Sequence, residues 1–119
     1  MENLFPVTRI YSDENGDSRF EELSVPMHDG GTIGMLSEIV DVKGLIFREV
    51  EPSYDYDFHN APHKQYLVVL DGEIEIQTSL HEIKRFKAGD VLLLEDTTGK
   101  GHRTKNIIPA RRKSLFILI

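Results

Sequence analysis

The sharpest pattern in the chain is Glu73-Ile74-Glu75-Ile76-Gln77, where polar and apolar residues alternate strictly. That is the two-residue period of a strand with one buried face, so the isoleucines point inward. Just before it, Tyr66-Leu67-Val68-Val69-Leu70 is a continuous apolar run, short enough for a core strand. Asp71-Gly72 separates the two segments and predicts a hairpin. His81 to Phe86 predicts a strand returning after a tight turn, and Lys87-Ala88-Gly89-Asp90 turns again into Val91 to Leu94. Ser114 to Ile119 closes the series. In the first half, Phe5 to Tyr11 and Phe20 to Val25 are rich in β-branched and aromatic residues. A polar loop with an Asn15-Gly16 turn signal joins them. His28 to Gly31 predicts a turn, Thr32 to Val40 a strand, and Leu45 to Val50 a further strand ended by Pro52. No segment keeps a helical period over three turns, so the pattern predicts an all-β barrel or sandwich.

The length of 119 residues fits one domain, 1–119, with N-terminal strands in 1–40 and a barrel in 41–119. With 39% hydrophobic and 29% charged residues the chain has enough apolar material for a core. A net charge of −6 opposes general binding to nucleic acid or anionic lipid, so neither is an expected partner. The basic cluster Arg111-Arg112-Lys113 is read as a solvated turn. The absence of cysteine excludes disulfides, thiolate metal sites and a cysteine nucleophile. No basic region followed by an apolar run opens the sequence, and its apolar runs are too short to span a bilayer. A cytoplasmic location is expected.

Two phrases carry the chemistry. His59-Asn60-Ala61-Pro62-His63-Lys64-Gln65 leads to Asp71-Gly72, and Gly89-Asp90 leads to Gly99-Lys100-Gly101-His102 and Asn106. Together they resemble the paired motifs of the cupin superfamily, G-x5-H-x-H-x3,4-E-x6-G and G-x5-P-x-G-x2-H-x3-N. His59 takes the first histidine position, Gln65 the glutamate position and His102 the second-motif histidine. Ala61 stands where the second histidine is usual, Ser53 replaces the opening glycine and Glu95 the proline. Phe58 to Gln65, with Glu95 to His102, also resembles a group of short RmlC-like cupins of poorly defined function.

The resemblance implies a jelly-roll barrel, the cupin double-stranded β-helix, with a pocket in its mouth. It implies that Phe58, His59, His63, Gln65 and Asp96 face a ligand, and that His59 and His102 do any catalysis. It also implies a metal position at His59, Gln65 and His102, where Fe, Mn, Zn or Ni would sit. One imidazole and the carboxylate of the usual set are missing, which favours a pocket without an obligatory metal. If residues 59 to 65 are extended, alternation turns His59, Ala61, His63 and Gln65 the same way. Tyr66 then faces outward, and Tyr54 and Tyr56 are placed on a loop. For Asp96 a turn-capping bond to Thr97 or Thr98 is favoured over a role in orienting His102. His28 and His81 are expected at the surface. Gly99-Lys100-Gly101 lacks the spacing of a phosphate loop and predicts a plain turn. Three classes of function stay open: a binding module for a small polar metabolite, an enzyme (metal-dependent oxygenase or isomerase, or metal-free sugar isomerase or epimerase), and an assembly role. By analogy the chain is expected to form a homodimer, with Phe5 to Tyr11 or Leu115 to Ile119 at the contact edge.

Overall fold

A computed structural model describes residues 4–119. In chain order the strands are β1 (Leu4–Ser12), β2 (Ser18–Pro26), β3 (His28–Asp29), β4 (Met35–Leu36), β5 (Gly44–Val50) and β6 (Asp55–His59). They continue with β7 (Gln65–Val69), β8 (Glu73–Thr78), β9 (Ile83–Lys87), β10 (Val91–Leu94), β11 (His102–Asn106) and β12 (Arg112–Leu118). A six-stranded sheet in the order β2-β1-β10-β7-β12-β5 faces a four-stranded sheet in the order β6-β11-β8-β9. The core lies between them. Leu67, Val69 and Leu92 from the larger sheet meet Ile74, Ile76 and Phe86 from the smaller one. The alternation of β8 holds: Ile74 and Ile76 are fully buried while Glu73, Glu75 and Gln77 are not. Burying an isoleucine side chain contributes about 1.5–3 kcal/mol, and both isoleucines sit in one cluster.

The apolar run of β7 also alternates, with Leu67 and Val69 buried and Tyr66 and Val68 only partly so. Tyr66 faces away from the core, as the alternation predicts.

Four local expectations change. Asp71-Gly72 does not close a hairpin, because β7 pairs with β10 and β12 while β8 pairs with β9 and β11. The turn carries the chain from one sheet to the other. Gly72 has φ +68°, and Asp71 accepts a bond of 2.6 Å from the backbone N–H of Lys113. Thr32 to Val40 is not a strand. It contains part of a short 3-10 turn (Gly31–Ile33) and only the two-residue β4. β3, expected as a turn, pairs with β4 as a separate two-stranded ribbon. Ile39 is 93% exposed, because β-branched residues stabilise a strand only against a neighbouring strand or packed face. Finally, neither expected dimer edge is an edge. β1 lies between β2 and β10, and β12 lies between β7 and β5. The larger sheet ends at β2 and β5.

Candidate functional site

A cavity of about 350 Å³ opens between the two sheets, within the usual size of a small-molecule pocket. Its apolar wall includes Leu67, Ile76, Leu94 and Phe116. Its polar side chains include His59, His63, Gln65, His102 and Arg48.

His59 and His102 meet because β6 and β11 pair, with His102 directly opposite His59. The ring centroids are 4.6 Å apart. Glycine makes this approach possible. A Cβ on Gly101 would fall 2.2 Å from the carbonyl oxygen of His59, and Gly101 has φ +74°. Only a residue without a side chain fits there at low cost.

A bulge in β6 adds a third ring. His102 pairs with His59 and Thr104 with Tyr56, so β6 uses three steps where β11 uses two. The extra residue turns both Tyr56 and His59 to the cavity, where plain alternation would separate them. Tyr56 therefore lies on a strand and not on a loop. Its ring stacks on that of His59 at 3.7 Å and 10°.

Each imidazole is held at Nδ1. His59 Nδ1 is 2.7 Å from the backbone carbonyl of Asp57. A carbonyl only accepts, so Nδ1 carries the proton and the neutral ring keeps a bare Nε2. His102 Nδ1 is 2.5 Å from Asp96 Oδ2. Both residues are buried, Asp96 completely. Asp96 thus orients His102 from behind, and its other oxygen has no partner among the described residues. The turn-capping reading of Asp96 does not hold, nor does its placement against a ligand, since it is absent from the cavity wall. Burial is the main cause that holds the pKa of His59 below its ordinary value. The Asp57 carbonyl opposes that shift, and His102 adds to it.

The N-terminal loop braces this arrangement. Ser18 Oγ donates to Gly101 O at 2.6 Å, Lys100 N–H donates to Gly16 O at 2.9 Å, and Ser12 Oγ donates to Thr98 O at 2.6 Å. Lys100 pairs with Asp17 at 2.8 Å, so the Gly99 to Gly101 turn is a clamped structural loop. On the opposite side Ala61 N–H donates to Asp96 O at 3.1 Å.

The remaining expected residues divide as follows. Gln65 is 2% exposed and lines the cavity, with its carbonyl oxygen unpartnered among the described residues. His63 lines the cavity but is exposed, which sets it at the mouth. His59, Ala61, His63 and Gln65 do share the cavity, although β6 ends at His59 and β7 begins at Gln65 in the other sheet. Their convergence comes from a chain crossing and not from one extended strand. Phe58 does not line the cavity, and its side chain is 40% exposed. As the neighbour of His59 on a strand it points to the other face. His28 and His81 are exposed, and His81 sits in a turn at φ +66°. Asn106 serves structure: it accepts from Arg112 Nε at 3.0 Å and donates to Glu51 O at 3.1 Å.

Arg48 is a cavity residue that the motifs do not mark. Its signal was alternation: Ile46 and Arg48 lie two apart on β5 and both reach the cavity. Arg48 Nε donates to Ser114 Oγ at 3.1 Å, and the guanidinium lies 4.6 Å from the Phe116 ring and 5.3 Å from the Tyr54 ring. Arg112, read from the sequence as part of a solvated turn, is instead 1% exposed. It lies 5.7 Å from the Tyr54 ring, its two Nη groups lack partners among the described residues, and burial pulls its pKa down to about 10.

The donor set does not suit a resident divalent metal. Among the described residues no group of three or more His, Cys, Asp or Glu converges. The cavity offers two held imidazoles, the exposed His63 at its mouth and an amide, and it shares them with a guanidinium. A hard or borderline cation favours charged oxygen or several imidazoles, and a nearby fixed positive charge opposes it.

No family model and no curated protein matches the chain. Solved structures do. The ethanolamine utilization protein EutQ of Salmonella typhimurium LT2 is 16% identical, with 97% of this chain and 95% of that chain covered and a TM-score of 0.50. Protein NMB1881 of Neisseria meningitidis is 18% identical, covering 69% of this chain and 81% of that one, also at 0.50. Drosophila melanogaster CENP-C, in its structure bound to CAL1, is 16% identical over 91% of this chain and 72% of that one, again at 0.50. At these identities the likeness shows the fold alone, a small cupin-like jelly roll. No helix among the described residues is long and apolar enough to cross a membrane.

Proposed function

Starting from a cupin fold, we propose that this chain binds a small polar metabolite in the barrel cavity and needs no resident metal to do so. The observation that carries the reading is the pair of imidazoles at 4.6 Å, each held at Nδ1, in the wall of a cavity with apolar sides. Side chains locked by their own hydrogen bonds are pre-organised, which lowers the entropy cost of binding. The test has two parts. Elemental analysis of tag-free protein should find no stoichiometric Fe, Mn, Zn or Ni, and salts of these metals should leave the melting temperature unchanged. A thermal-shift screen of small polar metabolites should then yield stabilising compounds whose effect is lost in His59→Ala and in His102→Ala. A stoichiometric metal, or stabilisation indifferent to both substitutions, would defeat the reading.

A second reading is metal-free acid–base chemistry on the same ligand. The Asp96–His102 contact supports it, with His59 alongside as a neutral base. Turnover that disappears in His102→Ala without loss of binding would favour it. A second copy of the chain, expected from the resemblance, would meet it at β5, one of the two edge strands of the larger sheet, where Phe47 is 79% exposed.

A further inference from the structure

The cavity has an electrical character at odds with the rest of the chain. Asp and Glu number 20 and the net charge is −6, yet among the described residues no carboxylate lines the cavity. Arg48 does, and it has no ion-pair partner among the described residues. Arg48 is half-buried, and a guanidinium drawn partly out of water is better held when an anion meets it. An arginine needed only for packing would be expected to find one of the chain's many carboxylates, as Arg9 does with Glu21 and Glu95.

Arg48 is also held ready. Its Nε is used on Ser114, and the flat guanidinium is flanked by the Tyr54 and Phe116 rings. That leaves the terminal nitrogens for a planar, two-oxygen partner, the geometry at which arginine excels. Arg112, 5.7 Å from the same Tyr54 ring and without a carboxylate partner among the described residues, adds a second unpaired positive charge nearby. Arg48 and His59 line the same cavity, so the cation and the imidazole share one space. The cavity they share also presents an apolar wall from Ile46, Leu67, Ile76 and Phe116.

We propose that the cavity selects a small carboxylate with an apolar body: its carboxylate pairs with Arg48, and its body lies along this wall toward His59 and His102. The inference rests on the reading of the cavity as a small-molecule site and adds the class of the ligand. A phosphate monoester is disfavoured, because Arg48 is the one guanidinium in the cavity lining among the described residues, Arg112 standing outside it, and a dianion carries more oxygen and charge than that single fork and its apolar surroundings would satisfy.

The test uses the full chain and matched probes: acetate, hexanoate and benzoate, their uncharged amides, and inorganic phosphate. Binding is followed by calorimetry and by the imidazole signals of His59 and His102 in NMR spectra. Hexanoate or benzoate should bind roughly tenfold or more tightly than its amide. Acetate should bind weakly, since it has almost no apolar body, and phosphate more weakly than hexanoate. Arg48→Gln should erase the preference for carboxylate over amide, while Arg48→Lys keeps part of it. Equal binding of acids and amides, with the imidazole signals moving, would overturn the carboxylate assignment and leave the cavity reading intact. Tighter binding of phosphate than hexanoate would also overturn it. Failure of every probe to move either imidazole would overturn both readings. Should Arg48→Gln not fold, the comparison of acid with amide in the unaltered protein still decides the matter.

Discussion

Replacing Asp96 by asparagine isolates the contact that orients His102. The two groups are 2.5 Å apart, with Asp96 0% and His102 3% exposed, so water cannot repair a lost bond. Asparagine keeps the shape and removes the carboxylate. A hydrogen bond to a charged group contributes about 1.5–3 kcal/mol and a neutral one about 0.5–1.5, so the weaker acceptor costs about 1 kcal/mol or more. The amide nitrogen must then take the place of Oδ1, which has no partner among the described residues. A buried N–H without an acceptor costs about 1–3 kcal/mol. Turning the amide over instead presents N–H to Nδ1 and forces the imidazole proton onto Nε2, the other ring nitrogen. Relief of carboxylate desolvation opposes these losses and offsets part of them. The net expectation for Asp96→Asn is a loss of about 1–3 kcal/mol. In urea unfolding the midpoint should fall by roughly 1 M with an unchanged m value. Nitrogen spectra of His102 should also show a changed tautomer balance. An unchanged or raised midpoint, with the wild-type tautomer retained, would refute the account of how His102 is oriented.

Three other outcomes are expected. Gly101→Ala puts a methyl group 2.2 Å from His59 O at φ +74°, so it should cost at least about 2 kcal/mol and pull β11 from β6; amide exchange at His59 and His102 would report the separation. The pKa of His59 lies below 6.5, chiefly through burial, so just below that pH the native state binds fewer protons than the unfolded chain. Its contribution to stability is therefore complete above pH 6.5 and is lost as pH falls through the lowered value; urea midpoints should fall less on acidification in His59→Asn than in the parent. Arg112→Met removes a buried guanidinium whose two Nη groups lack partners among the described residues but also gives up its Nε bond to Asn106, so stability should stay within about 1.5 kcal/mol of the parent. The carboxylate preference of the cavity should shrink in the same variant, read by calorimetry with hexanoate and its amide.

Most strands of the barrel were legible because the two-residue period is a local property, but β6 and β11, which carry His59 and His102, were not read as strands. Each residue of β8 announces its face through its own chemistry, whatever strand lies beside it. The positions His59, Gln65 and His102 were legible for a related reason, since motif spacing along the chain is visible without a fold. Pairing was not. Asp71-Gly72 makes the same local turn whether it closes a hairpin or crosses between sheets, and only the distant β10, β12, β9 and β11 settle which. Thr32 to Val40 carried strand-like residues and found no strand to join. The bulge that brings Tyr56 onto His59 is a mismatch between two strands more than forty positions apart, so neither strand alone contains it. Asp96 and Arg112 were misjudged because burial is a property of the folded surroundings: one carboxylate found an imidazole behind the cavity, and one arginine of a basic cluster turned inward while its neighbours stayed wet. Periodicity is written in neighbouring residues, whereas partners, burial and charge balance exist only once the sheets have closed.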